Sequence, residues 1–243
     1  SCEVEPIGTF TKYPELNSIL HKVVHSQEPS IEAEITSSRT YRYTAELYVA
    51  NPELRSLRPS GNEALVSTNT FAQFESVLLE SHPEDGPSYV RILGLDGRER
   101  GYRWIRSEYI TGPESFGAYK VVVPKASGSG AFGEVLSSPL VAGPQVAVTQ
   151  TFITIGSFND EAAAEACLRY VKSKFARALL GVLKITQDNP AKVWKYVPLQ
   201  DFTNASEIDW SKSIPEIDQQ LYAKYGLDPE EIAFIEANVK PME

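Results

Sequence analysis

The chain of 243 residues carries 23 basic and 32 acidic side chains, for a net charge of −9, and is 42% apolar. That size suits one large globular domain or two small ones. No apolar run approaches the roughly 18 to 20 residues of a membrane span and residues 1–10 lack a signal-peptide pattern, so a cytoplasmic protein without a membrane partner is expected.

Residues 14–26 read as a helix, with Leu16, Ile19, Leu20, Val23 and Val24 at helical spacing. His21 and His25 lie one turn apart within it, but Lys22 stands where a zinc protease needs its glutamate and no third ligand is evident, so no metal is expected. The polar, basic and aromatic residues 37–42 fit a loop, and residues 52–61 and 81–88 fit exposed connections. Asp96-Gly97 between two β-prone runs signals a hairpin over residues 89–105, which would carry Arg91, Arg98, Arg100, Arg103 and Arg106.

A buried strand over residues 119–123 should enter a flexible small-residue loop, 124–130, from which Lys125, Ser127 and Ser129 can touch nucleic acid. Gly128-Ser129-Gly130-Ala131-Phe132-Gly133 lacks the helix and the Lys-Ser/Thr pair of a nucleotide-binding loop. Residues 147–155 read as a further strand presenting Gln150. Asn159 or Asp160 then caps a helix whose apolar stripe runs through Ala164, Leu168, Val171, Phe175, Leu179 and Val182.

Arg169, Lys172, Arg177 and Lys184 lie off that stripe. Residues 169–195 hold seven bases, completed by Lys174, Lys192 and Lys195, against Asp188 alone, a local charge of +6 in an acidic chain. Such a ridge can hold a polyanion in one place. Residues 199–243 invert the balance with ten acids and three bases, and two short helices are predicted there, over 214–224 and 229–239. Cys2 and Cys167, far apart and outside any CxxC pair, suggest neither a disulfide framework nor a zinc ribbon. Ser1 at the start and Met242 as the only methionine fit an excised fragment whose catalytic parts lie elsewhere.

Asp188-Asn189-Pro190-Ala191 matches half of the Asn/Asp-Pro-Pro-aromatic loop with which amino methyltransferases hold a flipped base, without the second proline and the aromatic. No catalytic residue is therefore expected. Several blocks, in order, nevertheless carry a resemblance: Glu34-Ile35-Thr36-Ser37-Ser38-Arg39, Tyr119-Lys120-Val121-Val122-Val123-Pro124-Lys125-Ala126, Thr149-Gln150-Thr151-Phe152, Tyr170-Val171-Lys172-Ser173-Lys174-Phe175-Ala176-Arg177 and Ile185-Thr186-Gln187. They continue through Val197-Pro198-Leu199-Gln200-Asp201-Phe202, Ile208-Asp209-Trp210-Ser211 and Ile217-Asp218-Gln219-Gln220-Leu221-Tyr222-Ala223-Lys224-Tyr225-Gly226-Leu227. The last is Glu230-Glu231-Ile232-Ala233-Phe234-Ile235-Glu236.

In these blocks the chain resembles the C-terminal region of adenine-specific DNA methyltransferases and combined restriction-modification proteins of bacterial type II systems. That region is similar to the target-recognition domains of type I specificity subunits. The resemblance spans about residue 17 to the C-terminus, with little match over residues 51–102. It implies a reader of double-stranded DNA serving an N-terminal methyltransferase domain of the same polypeptide, with S-adenosylmethionine belonging to that domain and no cofactor in this segment.

The expected fold is α+β, a mixed, mainly antiparallel sheet packed against a long helix with a helical C-terminal extension. The expected division is a linker helix in residues 1–36, a target-recognition domain in 37–200 and the extension in 201–243. Under this reading Lys172, Lys174, Arg177, Lys184, Lys192 and Lys195 contact phosphates, which fix register without reading sequence. About four such contacts give a log K against log salt slope of roughly −3.6. Arg39, Arg42, Gln150 and Gln187 are the candidates for base edges. Arg177→Ala is expected to weaken binding to every duplex alike, and Arg39→Ala to relax specificity at one base pair. The alternative is a protein docking module in which the acidic C-terminal helices seat a partner subunit and the basic ridge pairs internally with them.

Overall fold

The computed structural model describes residues 9–243; Cys2 lies outside them. Helical spacing governs the first element, α1 (Pro14–His25), which opens on a proline in its first turn and buries Leu16, Ile19, Leu20 and Val23. The chain then passes through β1 (Ile35–Thr36), β2 (Arg42–Tyr43), α2 (Ala45–Ala50), α3 (Thr70–Gln73), β3 (Tyr89–Asp96), β4 (Glu99–Arg106), β5 (Ile110–Thr111), β6 (Tyr119–Pro124), β7 (Leu140–Ala142), β8 (Val146–Val148) and β9 (Phe152–Phe158). It ends with α4 (Glu161–Lys172), α5 (Lys174–Leu183), α6 (Ile214–Lys224) and α7 (Pro229–Asn238).

The fold is α+β, and the strands of the described residues form three small sheets. A four-stranded antiparallel sheet runs β1-β9-β6-β7, a pair joins β2 to β5, and a three-stranded sheet runs β4-β3-β8 with β3 and β8 parallel. Asp96 pairs with Glu99 across the expected hairpin turn, where Gly97 takes a φ of +62°. The single strand expected over residues 147–155 is two. β8 leaves its sheet at Val148, a turn closes with Phe152 N–H donating to the Thr149 carbonyl at 3.1 Å, and β9 begins in a different sheet.

β6 has a role on each face. Val121 and Val123 belong to a core with α1, α4, α5, α6 and α7, while Val122 belongs to a second core with Tyr43, Leu47, Phe71, Phe74, Ile92 and Ile105. Alternation along β9 divides in the same way, Ile153 and Ile155 going to the first core and Phe152 to the second.

Two expectations about the helices need correction. The long helix is broken at Ser173, whose ψ of 149° ends α4 and whose hydroxyl accepts Ala176 N–H at 3.1 Å to cap α5. The buried Asp218 carboxylate takes the next two orphan donors, Lys174 N–H at 3.1 Å and Phe175 N–H at 2.9 Å. The expected linker helix is core instead, since α1 buries Ile19 with Ile217 and Leu221 of α6 and Ile235 of α7, the two helices of the C-terminal extension, in the first core. Among the described residues no helix is long and apolar enough to cross a membrane.

Candidate nucleic-acid interface

Main-chain pairing brings five distant stretches of sequence into one strip. Arg42 bridges to Leu65, and Gln150 N–H donates to the neighbouring Val66 carbonyl at 2.8 Å. Lys125 N–H donates to Thr151 at 2.9 Å, Asn189 N–H to Lys125 at 2.7 Å, and Ser127 N–H to Gln187 at 2.7 Å. The strip thus runs from β2 through residues 65–68, the β8–β9 turn and the end of β6 to residues 187–189. Because these contacts use backbone groups, they fix the scaffold while leaving side chains available.

Arg39, Arg42, Lys125 and Gln187 are exposed along the strip and Gln150 is half-buried. Arg39 Nη2 donates to Asn62 Oδ1 at 2.9 Å, a contact to a neutral amide that a base edge or phosphate oxygen can replace. Thr68, Thr149 and Thr151 form a hydroxyl chain beside Gln150, with Oγ1 separations of 3.0 and 3.2 Å. Asn189 is fully buried, its Nδ2 donating to the Pro124 carbonyl at 3.0 Å. The strip therefore offers guanidinium, ammonium, amide and hydroxyl groups, the set that reads base edges and grips phosphates.

The basic ridge does not stand free. Arg177 is only 3% exposed and donates to the Lys172 carbonyl at 3.0 Å, the Glu134 carbonyl at 3.3 Å and the Lys240 carbonyl. Burial pushes its pKa down to about 10. Lys174 is ion-paired to Glu236 of α7, and Lys172 Nζ donates to the Glu243 carbonyl at 2.8 Å. Lys184 Nζ donates to the Ser127 and Thr186 carbonyls at 2.8 and 3.1 Å. These contacts clamp the C-terminal segment and the glycine loop onto α4 and α5; burial withdraws Arg177 from the expected phosphate role, while Lys172, Lys174 and Lys184 are half-buried with their ammonium groups engaged. Of the six expected cations, Lys192 and Lys195 remain exposed.

The expected flexible loop after β6 is pinned as well. Ser127 is buried, its hydroxyl within 3.2 Å of Ser137 Oγ and accepting Ser137 N–H at 3.0 Å, which removes it as a contact residue. Ser129 is exposed, but its N–H and hydroxyl are both held by Glu134. Further along, Lys240 N–H donates to the Gly133 carbonyl at 2.9 Å.

The hairpin arginines divide. Arg103 pairs with Asp96 and Glu80, Arg106 approaches Asp85 and Glu108, and Arg91 lies over the rings of Tyr102 and Trp104 at 5.0 and 5.6 Å. Arg100 lies over the Phe152 ring at 5.3 Å and donates to the Ser137 and Ser138 carbonyls, which ties the hairpin tip to the strip; Arg98 is exposed at that tip. Arg58, Asn62 and Thr68 are strip residues that sequence reasoning missed. Arg58 shapes the strip from below, donating to Ser67, Thr70 and Gln73 with its guanidinium 4.3 Å from the Phe74 ring. No spacing signal marks them, since the pairing of residues 62–68 with β2 and with the β8–β9 turn is what places them.

His21 and His25 sit with ring centroids 6.3 Å apart, and among the described residues no group of three or more His, Cys, Asp and Glu side chains gathers to hold a metal ion. A separate groove of about 800 Å³ lies between α4 and residues 202–211, where Arg169 donates to the Trp210 carbonyl beside Glu165, Glu207 and Asp209. No family model matches the chain, and no curated protein matches it.

Proposed function

We propose that this chain is a sequence-specific double-stranded DNA reader that directs a methyltransferase domain of the same polypeptide and performs no methyl transfer itself. The strip supports the reading: Arg42, Lys125, Gln150 and Gln187, far apart in sequence, lie on stretches joined by main-chain hydrogen bonds, and Arg39 is held beside them by its side-chain bond to Asn62. Arg39 and Arg42 suit guanine edges and Gln150 and Gln187 suit adenine edges, each bidentate contact being worth about 1 to 3 kcal/mol of discrimination. Lys125 supplies backbone grip, and Arg98 at the hairpin tip extends it. S-adenosylmethionine belongs to the methyltransferase domain, and the target base is adenine by resemblance.

The test is retention of this chain on a randomised duplex pool at low and moderate salt, followed by sequencing. An enriched short motif is expected. No retention at low salt, or retention indifferent to salt, overturns the reading.

One observation favours a second reading, a protein docking module: the cations of α4 and α5 pair internally with α7 and the C-terminal residues. Under it the groove beside α4, with its acidic rim of Glu165, Glu207 and Asp209, seats a basic segment of a partner subunit.

A further inference from the structure

The loop after β6 already holds an anion, and it is the chain's own. Glu134 Oε2 accepts Ser129 N–H at 2.8 Å and Gly130 N–H at 3.1 Å, and its Oε1 accepts the Ser129 hydroxyl at 2.9 Å. Gly128 at φ +68° and Gly130 at φ +93° turn the two amides toward one point, the arrangement of a backbone anion nest. A Cβ on Gly128 would collide with Glu134 Oε2, so the glycine is what admits the oxygen. Ser129 holds the Glu134 carboxyl below the usual carboxylate range, and the positive charge of Lys184 acts in the same direction.

The segments on either side of this turn are held without the carboxylate, and the turn itself packs against residue 186. Lys184 ties the Ser127 carbonyl, a Cβ on Gly130 would lie 2.6 Å from the Thr186 backbone, the Gly133 carbonyl accepts Lys240 N–H, and the Glu134 carbonyl accepts from Arg177. If the Glu134 side chain swings out, two amides, a hydroxyl and a nearby ammonium remain converged. Ser129 is exposed, and Lys125 stands exposed four residues upstream at the end of the strip.

We propose that turn 128–130 is a phosphate-oxyanion cradle that Glu134 occupies in the free protein and yields to a backbone phosphate of the nucleic acid. Two carboxylate oxygens occupy the donors that two non-bridging phosphate oxygens would take, and both groups carry negative charge. Glu134 is then a gate: only a phosphate presented together with contacts along the strip displaces it, so the cradle adds to bound duplex and repels isolated anions. The origin of the phosphate rests on the DNA reading above; the anion chemistry of the cradle does not.

Two measurements separate these levels. In the first, amide resonances of Ser129 and Gly130 are followed during titration with inorganic phosphate, in the wild type and in Glu134→Ala. Saturable shifts confined to the variant are expected, and Ser129→Ala in the Glu134→Ala background should weaken them several-fold. A Glu134→Ala protein with wild-type melting temperature and no shifts overturns the cradle. If that variant does not fold, Glu134→Gln keeps one acceptor oxygen without the charge and must show the same shifts.

The second measurement is duplex affinity against salt. Glu134→Ala is expected to bind several-fold tighter at low salt with a slope steeper by about 0.9, one additional phosphate contact. Phosphate shifts with unchanged duplex affinity and slope overturn the nucleic-acid origin of the ligand. Phosphate shifts with no duplex retained by either protein leave the cradle intact and overturn the DNA reading instead.

Discussion

Lys120 of β6 is the most demanding charge in the fold. It is 0% exposed, lies opposite Ala142 on the side of the second core, and has only the Ala118 and Gly143 carbonyls to receive its protons, at 3.2 and 3.1 Å. Burial pushes its pKa from 10.5 down to about 8. A lysine whose folded pKa lies below its unfolded one gives up its proton first in the folded state. The unfolded chain therefore binds more protons between pH 8 and 10.5, and stability rises with pH in that window. From pH 7 to 9.5 the gain from this one group is about 2 kcal/mol.

Other groups titrate over the same range, so the informative quantity is the difference between wild type and Lys120→Met, which keeps the length and removes the charge. Urea unfolding at pH 7 and at pH 9.5, followed by tryptophan fluorescence, gives that difference at each pH. Wild type should gain about 2 kcal/mol on the variant as the pH rises. A difference that stays constant to within about 0.5 kcal/mol would refute the reasoning, because it would mean that Lys120 keeps its ordinary pKa.

Arg177→Met should leave three carbonyls without their charged donor and cost about 3 kcal/mol or more, read as a lower urea midpoint; a stable variant with a shallower salt slope would restore the phosphate role. Gly133→Ala places a Cβ on the Asn238 carbonyl at a φ of +77°, so α7 should loosen and become protease-sensitive, with at least about 1 kcal/mol lost to the left-handed backbone alone. Asp218 has its pKa raised to about 6 by burial, and the stability it contributes is full below pH 4 and lost as pH rises through 6. Wild type should therefore fall by about 2 kcal/mol relative to Asp218→Asn between pH 4 and 7, and parallel pH profiles would contradict it. Arg39→Ala should relax the selected duplex motif at one position, and a uniform drop in affinity would assign Arg39 to phosphate instead.

Elements set by local signals were legible in the sequence. The Asp96-Gly97 hairpin, α1, and the helices α6 and α7 all lie where turn chemistry and helical spacing put them. The basic face of α4 and α5 was not legible. The charge inversion after residue 199 allows internal pairing as an alternative, but a helical wheel does not show which residues do it: Glu243 for Lys172, Glu236 for Lys174 and the Lys240 carbonyl for Arg177. Apolar alternation likewise runs unbroken through residues 147–155, so only the Thr149 turn reveals that two sheets share the run. Arg39, Arg42, Lys125, Gln150 and Gln187 are picked out by residue type alone, whereas the strip that joins their segments depends on non-local backbone pairing that no local pattern shows.

The two-faced β6 has a consequence for how such a chain can diversify. The second core is built by two excursions, residues 37–118 and 143–151, which leave the four-stranded sheet at Thr36 and Ala142 and rejoin it at Tyr119 and Phe152. A different pair of excursions could be grafted between the same four ends, and the four-stranded sheet would meet it through Lys120, Val122, Ala142 and Phe152. The graft must be double, because the parallel ladder from Arg91–Val146 to Leu93–Val148 joins one excursion to the other. Exchange of both together would give a new surface on an old frame, while exchange of either alone would leave a sheet with a mismatched edge. A new surface on this frame thus requires a discontinuous cassette, held in common by a single strand.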